Sequence, residues 1–155
     1  PFTDTKRLRE VCGIDADMPD THEPSSVFIY EMIDRYGGAQ AFYSRYYINS
    51  ISPLGFLRKN SKGHWVNCNY YDDKQLFHYL EPFMIEKLKE QISFGLDRRT
   101  CYVLGKKNAR YIKDINDKEK LFDSIVVMAH PRYIVQYRSR YKDDYIRDYL
   151  EKLTK

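Results

Sequence analysis

Cys101-Tyr102-Val103-Leu104-Gly105 and Ile125-Val126-Val127-Met128-Ala129-His130-Pro131 are the two stretches that decide how this chain folds. Each is a short apolar run rich in β-branched and aromatic side chains, and each is closed by a residue that ends a strand. Gly105 leads directly into a helical pattern from about Lys107 to Ile112. Pro131 cannot donate to a ladder, so the second run stops at His130. Strands separated by a helix imply a βαβ crossover and a parallel pair, with helices layered over the sheet. The expected class is therefore α/β.

The flanking sequence repeats this alternation. Thr5 to Cys12 predicts a helix ending at Gly13, and Ser25 or Ser26 can cap a second helix ending at Gly37-Gly38. Arg45 to Ile51 is an aromatic and β-branched run closed by Ser52-Pro53, and reads as a further strand. Arg58 to Asn69 reads as a polar excursion. Asp72 or Asp73 opens a long helix through Phe94, in which Pro82 should place a kink or mark the true start. A last helix is expected from about Val135 to Leu153, with Tyr137, Tyr141, Tyr145 and Tyr149 along one face.

The chain has 155 residues, 43% of them hydrophobic and 31% charged, which suits one domain with a real core. It begins with Pro1, so a single domain over residues 1–155, truncated at its N-terminus, is expected. No apolar run is long enough to span a bilayer, and no membrane role is expected. Cys12, Cys68 and Cys101 are scattered without a paired motif, which fits a reducing compartment and argues against structural zinc or an iron–sulfur cluster. No metal or cofactor is expected. The net charge of +4 permits a nucleic-acid partner without requiring one.

In parallel sheets ligands sit beyond the carboxyl ends of the strands, which selects Asn49-Ser50, Gly105 and His130-Pro131. At the sheet rim the His130 imidazole can donate a hydrogen bond near neutral pH, or can merely cap the strand end. Asn49 offers a donor and an acceptor suited to a pyrimidine edge, or can satisfy nearby loop backbone. From Arg132 to Lys142, Arg132, Arg138, Arg140 and Lys142 interleave with Tyr133, Tyr137 and Tyr141. Such a stretch can meet phosphates and bases, or can be a core-facing stripe with solvated cations behind it. Arg132 and Tyr133 fall in the loop expected before the helix. Gly105-Lys106-Lys107 lacks the glycine spacing of a phosphate loop and reads as a tight turn.

Three places together resemble the single-strand-selective monofunctional branch of the uracil-DNA glycosylase superfamily, in its bacterial form. These are Pro1-Phe2 followed by Arg7-Leu8-Arg9 to Gly13-Ile14, Tyr46-Tyr47-Ile48-Asn49-Ser50-Ile51-Ser52-Pro53-Leu54, and Val126-Val127-Met128-Ala129-His130-Pro131. The resemblance implies a three-layer α/β/α sandwich with a short, mainly parallel central sheet. It further implies a monofunctional, monomeric and cytoplasmic base-excision repair enzyme, which hydrolyses the N-glycosidic bond of uracil flipped out of DNA. Phe2 would stack on the base, Asn49 would read its Watson–Crick edge, and His130 would donate to the carbonyl that gains charge. Pro131, Arg132, Tyr133, Gln136 and Arg138 would contact DNA. The family continues His-Pro with Ser-Pro-Arg-Asn, where this chain has Arg132-Tyr133-Ile134-Val135-Gln136. The family's first motif, which positions the attacking water, would lie before Pro1. A non-catalytic nucleic-acid-binding domain of the same fold is the alternative.

Overall fold

The structure, a computed structural model, describes residues 2–154. In chain order it contains α1 (Thr5–Glu10), α2 (Pro24–Tyr36), α3 (Ala39–Tyr43), β1 (Phe56–Lys59), β2 (Trp65–Cys68) and α4 (Lys74–Ile92). There follow β3 (Thr100–Leu104), α5 (Lys106–Glu119), β4 (Ser124–Met128), α6 (Pro131–Tyr137), a 3₁₀ turn (Ser139–Tyr141) and α7 (Lys142–Leu153).

The two apolar runs pair as expected. β3 and β4 are parallel, in register from Thr100 opposite Ser124 to Leu104 opposite Met128. Side chains alternate cleanly across this pair. Tyr102, Leu104, Val126 and Met128 join a core with Phe28, Ile29, Ile134, Ile146 and Tyr149 from α2, α6 and α7. Cys101, Val103, Ile125 and Val127 join a second core with Leu88 of α4 and Ile112 and Ile115 of α5. Helices thus cover both faces of a short parallel sheet, giving three layers. Each fully buried aliphatic or aromatic side chain contributes about 1.5–3 kcal/mol. The edge-on Phe28–Tyr149 pair, with centroids 5.1 Å apart, ties α2 to α7.

Several expectations are corrected. Tyr46–Ser50 carries no regular secondary structure and forms no ladder among the described residues. Its alternation persists all the same. Tyr46 and Ile48 pack on the first core, and Ile51 on the second. The polar excursion is an antiparallel hairpin, β1–β2, with Lys59 opposite Trp65 across an Asn60–His64 turn. Its many outward side chains hide the two-residue period that marks a strand. α4 runs unbroken through Pro82, with its N-cap at Asp73. α2 is capped by Glu23 rather than by a serine, because Pro24 occupies the first helical position and draws Ser25 and Ser26 into the buried first turn. α5 continues past Ile112 to Glu119, since Ile115 extends its buried face.

The last helix begins at Pro131, not Val135, and breaks at Arg138, whose φ of −134° is not helical. The break lets α7 bury Ile146 and Tyr149 while Tyr137 and Tyr141 remain outside. The tyrosine stripe therefore divides between core and surface. Among the described residues, no helix is long and apolar enough to cross a membrane.

Candidate functional site

His130 lies just beyond the end of β4 and caps α6, with an extended backbone (φ −72°, ψ 133°). Its Nδ1 accepts a hydrogen bond from the backbone N–H of Arg132 at 3.1 Å. An acceptor nitrogen carries no proton, so the neutral ring holds its proton on Nε2. Burial pushes the imidazole pKa down from the ordinary histidine value; the Glu23 carboxylate opposes that shift and the Arg132 charge adds to it. The half-buried ring is thus a neutral, oriented N–H donor at pH 7.

Two neighbours press on this ring. The Phe2 ring meets it edge-on, with centroids 5.5 Å apart and planes at 73°. On another side is Gly105, whose N–H donates to the Met128 carbonyl at 2.8 Å. A Cβ at Gly105 would lie 3.1 Å from both Cβ and Cδ2 of His130, so glycine is what allows the imidazole this seat. Gly105 reads in the sequence as a tight turn; its contact with His130 arises only from the strand register.

Phe2 has φ 56°, a conformation rare for a bulky residue. The segment behind it is anchored by Asp4, which is buried. The Asp4 carboxylate accepts from the Arg7 N–H at 3.0 Å, the Arg7 guanidinium at 2.7 Å, the Glu23 N–H at 3.0 Å and the Ser26 hydroxyl at 2.8 Å. Burial alone would raise its pKa, but the backbone bonds, the Ser26 bond and the Arg7 charge outweigh burial and bring it to about 2. One charged group therefore fixes both the Phe2 segment and Glu23.

Glu23 is a site residue that the sequence reading misses. Its Oε1 caps α2 by accepting from the Ser25 N–H at 3.1 Å. Its Oε2 is buried and has no partner among the described residues. A buried carboxylate oxygen with open acceptor capacity is costly to maintain, and here its charge reaches the His130 ring. The available signal is the Glu-Pro pair after a polar loop, since proline at the first helical position makes the preceding residue the cap.

The other expected residues fall in two places. Asn49 is half-buried in the irregular segment whose neighbours Ile48 and Ile51 pack on the two cores, and its carboxamide has no hydrogen-bond partner among the described residues. Phe2 and His130 are in contact; no hydrogen bond ties Asn49 to either. Pro131 is buried at the start of α6. Arg132 and Tyr133 are in the first turn of that helix rather than in a loop, because His130 caps it directly. Arg132, Tyr133, Gln136 and Arg138 are exposed, and Arg138 Nε donates to the Tyr133 hydroxyl at 2.9 Å. Among the described residues, no group of three or more His, Cys, Asp or Glu side chains could hold a metal ion.

The family model described as the uracil DNA glycosylase superfamily matches residues 1–154. The crystal structure of wild-type Pedobacter heparinus SMUG2 is similar to this chain at 44% identity with a TM-score of 0.93. That match covers 99% of this chain and 66% of the other, so the chain spans just under two thirds of the length of that relative. No curated protein matches.

Proposed function

Because the chain belongs to the uracil DNA glycosylase superfamily, we propose that its strand-end site releases uracil from DNA by hydrolysis of the N-glycosidic bond. The observation that carries this reading is the His130 tautomer, with Nδ1 held by the Arg132 N–H and Nε2–H left to donate. The extruded uracil stacks on Phe2, and the Asn49 carboxamide, unpartnered in the free protein, pairs with its Watson–Crick edge. His130 Nε2–H donates to the uracil carbonyl oxygen that gains charge. Extrusion costs a few kcal/mol, which stacking and polar contacts offset.

The C1′–N1 bond breaks with its electron pair leaving on the base, so negative charge grows on the uracil oxygen while the sugar becomes oxocarbenium-like. A preorganised donor at that oxygen contributes about 3–4 kcal/mol, the scale of an oxyanion-hole hydrogen bond. Neutrality of the ring matters, since protonation at Nδ1 would turn the Arg132 N–H contact into donor facing donor. Water then adds to C1′ and loses a proton, leaving an abasic sugar, with no covalent lysine intermediate. Arg132, Tyr133, Gln136 and Arg138 on and just after α6 face the DNA from which the base has left.

The test is uracil release from a single-uracil oligonucleotide by the full-length protein, read as alkali-labile abasic sites. His130→Ala should slow single-turnover release by a factor of about 10²–10³. A wild-type rate in that variant would sink the assignment, and salt-sensitive DNA binding with no release by the unmodified protein would favour the non-catalytic reading.

A further inference from the structure

One residue beyond Gly105 the surface opens into a cleft of about 260 Å³ lined by Tyr71, Lys106, Lys107, Arg110 and Tyr111. Its walls are built rather than incidental. Tyr70 is buried, and its hydroxyl donates to Asn108 Oδ1 at 3.0 Å; Asn108 Nδ2 in turn donates to the Leu104 carbonyl at the end of β3, at 2.9 Å. Those bonds fasten the Tyr70–Tyr71 turn to the first turn of α5. The Tyr71 and Tyr111 rings stack with centroids 6.1 Å apart, and Lys107 Nζ is 5.1 Å from the Tyr71 ring centre.

The cations of this cleft make no ion pair: Asp72, next to Tyr71, feels the Lys107 charge, but its carboxylate is bonded to Asn69. Elsewhere on the surface many cations are paired: Arg35 with Glu31 and Asp143, Lys118 with Glu81, Arg147 with Asp144, and Lys152 with Asp148. Among the described residues, Lys106, Lys107, Arg110 and Arg132 have no carboxylate oxygen within 4.0 Å. Lys106 follows Gly105, whose backbone sits against the His130 ring, so the cleft begins one residue from that ring. The cleft is therefore an extension of the His130 rim and not a separate surface.

We infer that the Tyr71–Tyr111 cleft is a second nucleotide subsite, which holds a nucleotide adjacent to the flipped one on the same DNA strand. The basis is cations without partners beside half-buried aromatic faces, at the carboxyl end of the strand next to the His130 strand. Lys106, Lys107 and Arg110 take the phosphodiester, and a tyrosine face takes the unpaired base. Condensed counterions leave as lysine and arginine replace them, and base–aromatic stacking tolerates any sequence. Stacking there requires an unpaired neighbouring base, which a single strand supplies. The inference rests on the glycosylase reading for the identity of its ligand, but binding can be measured without chemistry.

The experiment is a fluorescence-anisotropy titration of the full-length protein. The probe is a single strand carrying one non-hydrolysable 2′-fluoro-deoxyuridine, titrated across a salt series. Lys107→Ala/Arg110→Ala, both at exposed positions, should weaken binding about tenfold and flatten the log–log salt slope by roughly 0.7, the value for one single-strand phosphate no longer neutralised. The control is Arg147→Ala/Lys152→Ala, which removes equal charge from α7 across the sheet and should leave both quantities near wild type. Equal weakening by the two double variants would reduce the effect to bulk charge and overturn the subsite, as would no weakening by the first. Absence of uracil release by the wild-type protein on an ordinary deoxyuridine strand would instead refute the glycosylase reading. The titration would still decide whether the cleft binds single-stranded DNA.

Discussion

Gly105→Ala is the smallest change that reaches the His130 ring. The new Cβ lies 3.1 Å from Cβ and Cδ2 of His130, inside ordinary contact, and the position has φ +100°. The backbone cannot retreat freely, because the Gly105 N–H is bonded to the Met128 carbonyl at 2.8 Å. Two costs follow: about 1–3 kcal/mol for a side chain in glycine-only backbone space and about 1–3 kcal/mol for overpacking. Together they amount to roughly 2–6 kcal/mol and a fall in Tm of roughly 4–24 °C, at about 2–4 °C per kcal/mol for a chain of this size. The imidazole yields by a few tenths of an ångström. Functional groups must be held within about 0.5 Å, and a 1 Å error costs about 10²-fold, so kcat should fall about tenfold with KM little changed. Thermal unfolding and single-turnover uracil release measure the two effects. Coupling is isolated by repeating the substitution in a His130→Gly background, which removes all three contacting atoms, Cβ, Cγ and Cδ2. A coupling energy of about 0.5–3 kcal/mol in stability is expected. A variant that melts and turns over like wild type, or a cycle with no coupling, would refute the contact as the reason for glycine.

The Glu23 carboxylate raises a pKa that burial lowers, so Glu23→Gln, which keeps an oxygen for the Ser25 N–H, should move the His130 titration to lower pH. The acid limb of the rate profile should move with it; an NMR titration showing no shift, or an upward one, would refute the electrostatic link. In the wild-type protein the depressed histidine pKa means that the neutral donor persists through pH 7 and is lost only as pH falls below the ordinary histidine range. Asp4 also has a lowered pKa. Its folded value of about 2 lies below the unfolded one, so its contribution, about 2.5 kcal/mol, is complete at pH 7 and disappears as pH falls from about 5 toward 2. Asp4→Asn should therefore lower Tm at pH 7 by roughly 5–10 °C and flatten its acid dependence; an unchanged slope between pH 5 and 2 would count against the network.

The parts of the fold that are legible in the sequence are those written by local rules. Two apolar runs closed by Gly105 and Pro131 form a parallel pair, Asp73 caps α4 and Gly37 ends α2, while α1 stops at Glu10, short of Gly13. Where reading fails, tertiary contacts outweigh local preference. The Tyr46–Ser50 run alternates like a strand but finds no ladder partner among the described residues. The period of four in the tyrosines suggests one helix, yet packing of Ile146 and Tyr149 bends the chain at Arg138 and leaves Tyr137 in solvent. The β1–β2 hairpin packs too little of its surface to leave an apolar period.

The order of elements, the parallel sense of β3 and β4 and the placing of His130 at a strand end follow from residues adjacent in the chain. Strand length, breaker chemistry and alternation act over a few residues, so they can be read along a line. The surroundings of that histidine cannot be. Phe2, Glu23 and Gly105 converge on His130 through the Asp4 network and the strand register, from three distant parts of the chain. The tautomer and depressed pKa of the ring, and the unpaired charge at Lys107 and Arg110, depend on what lies within a few ångströms in space. Burial and Coulomb energy are functions of distance, and only folding sets those distances.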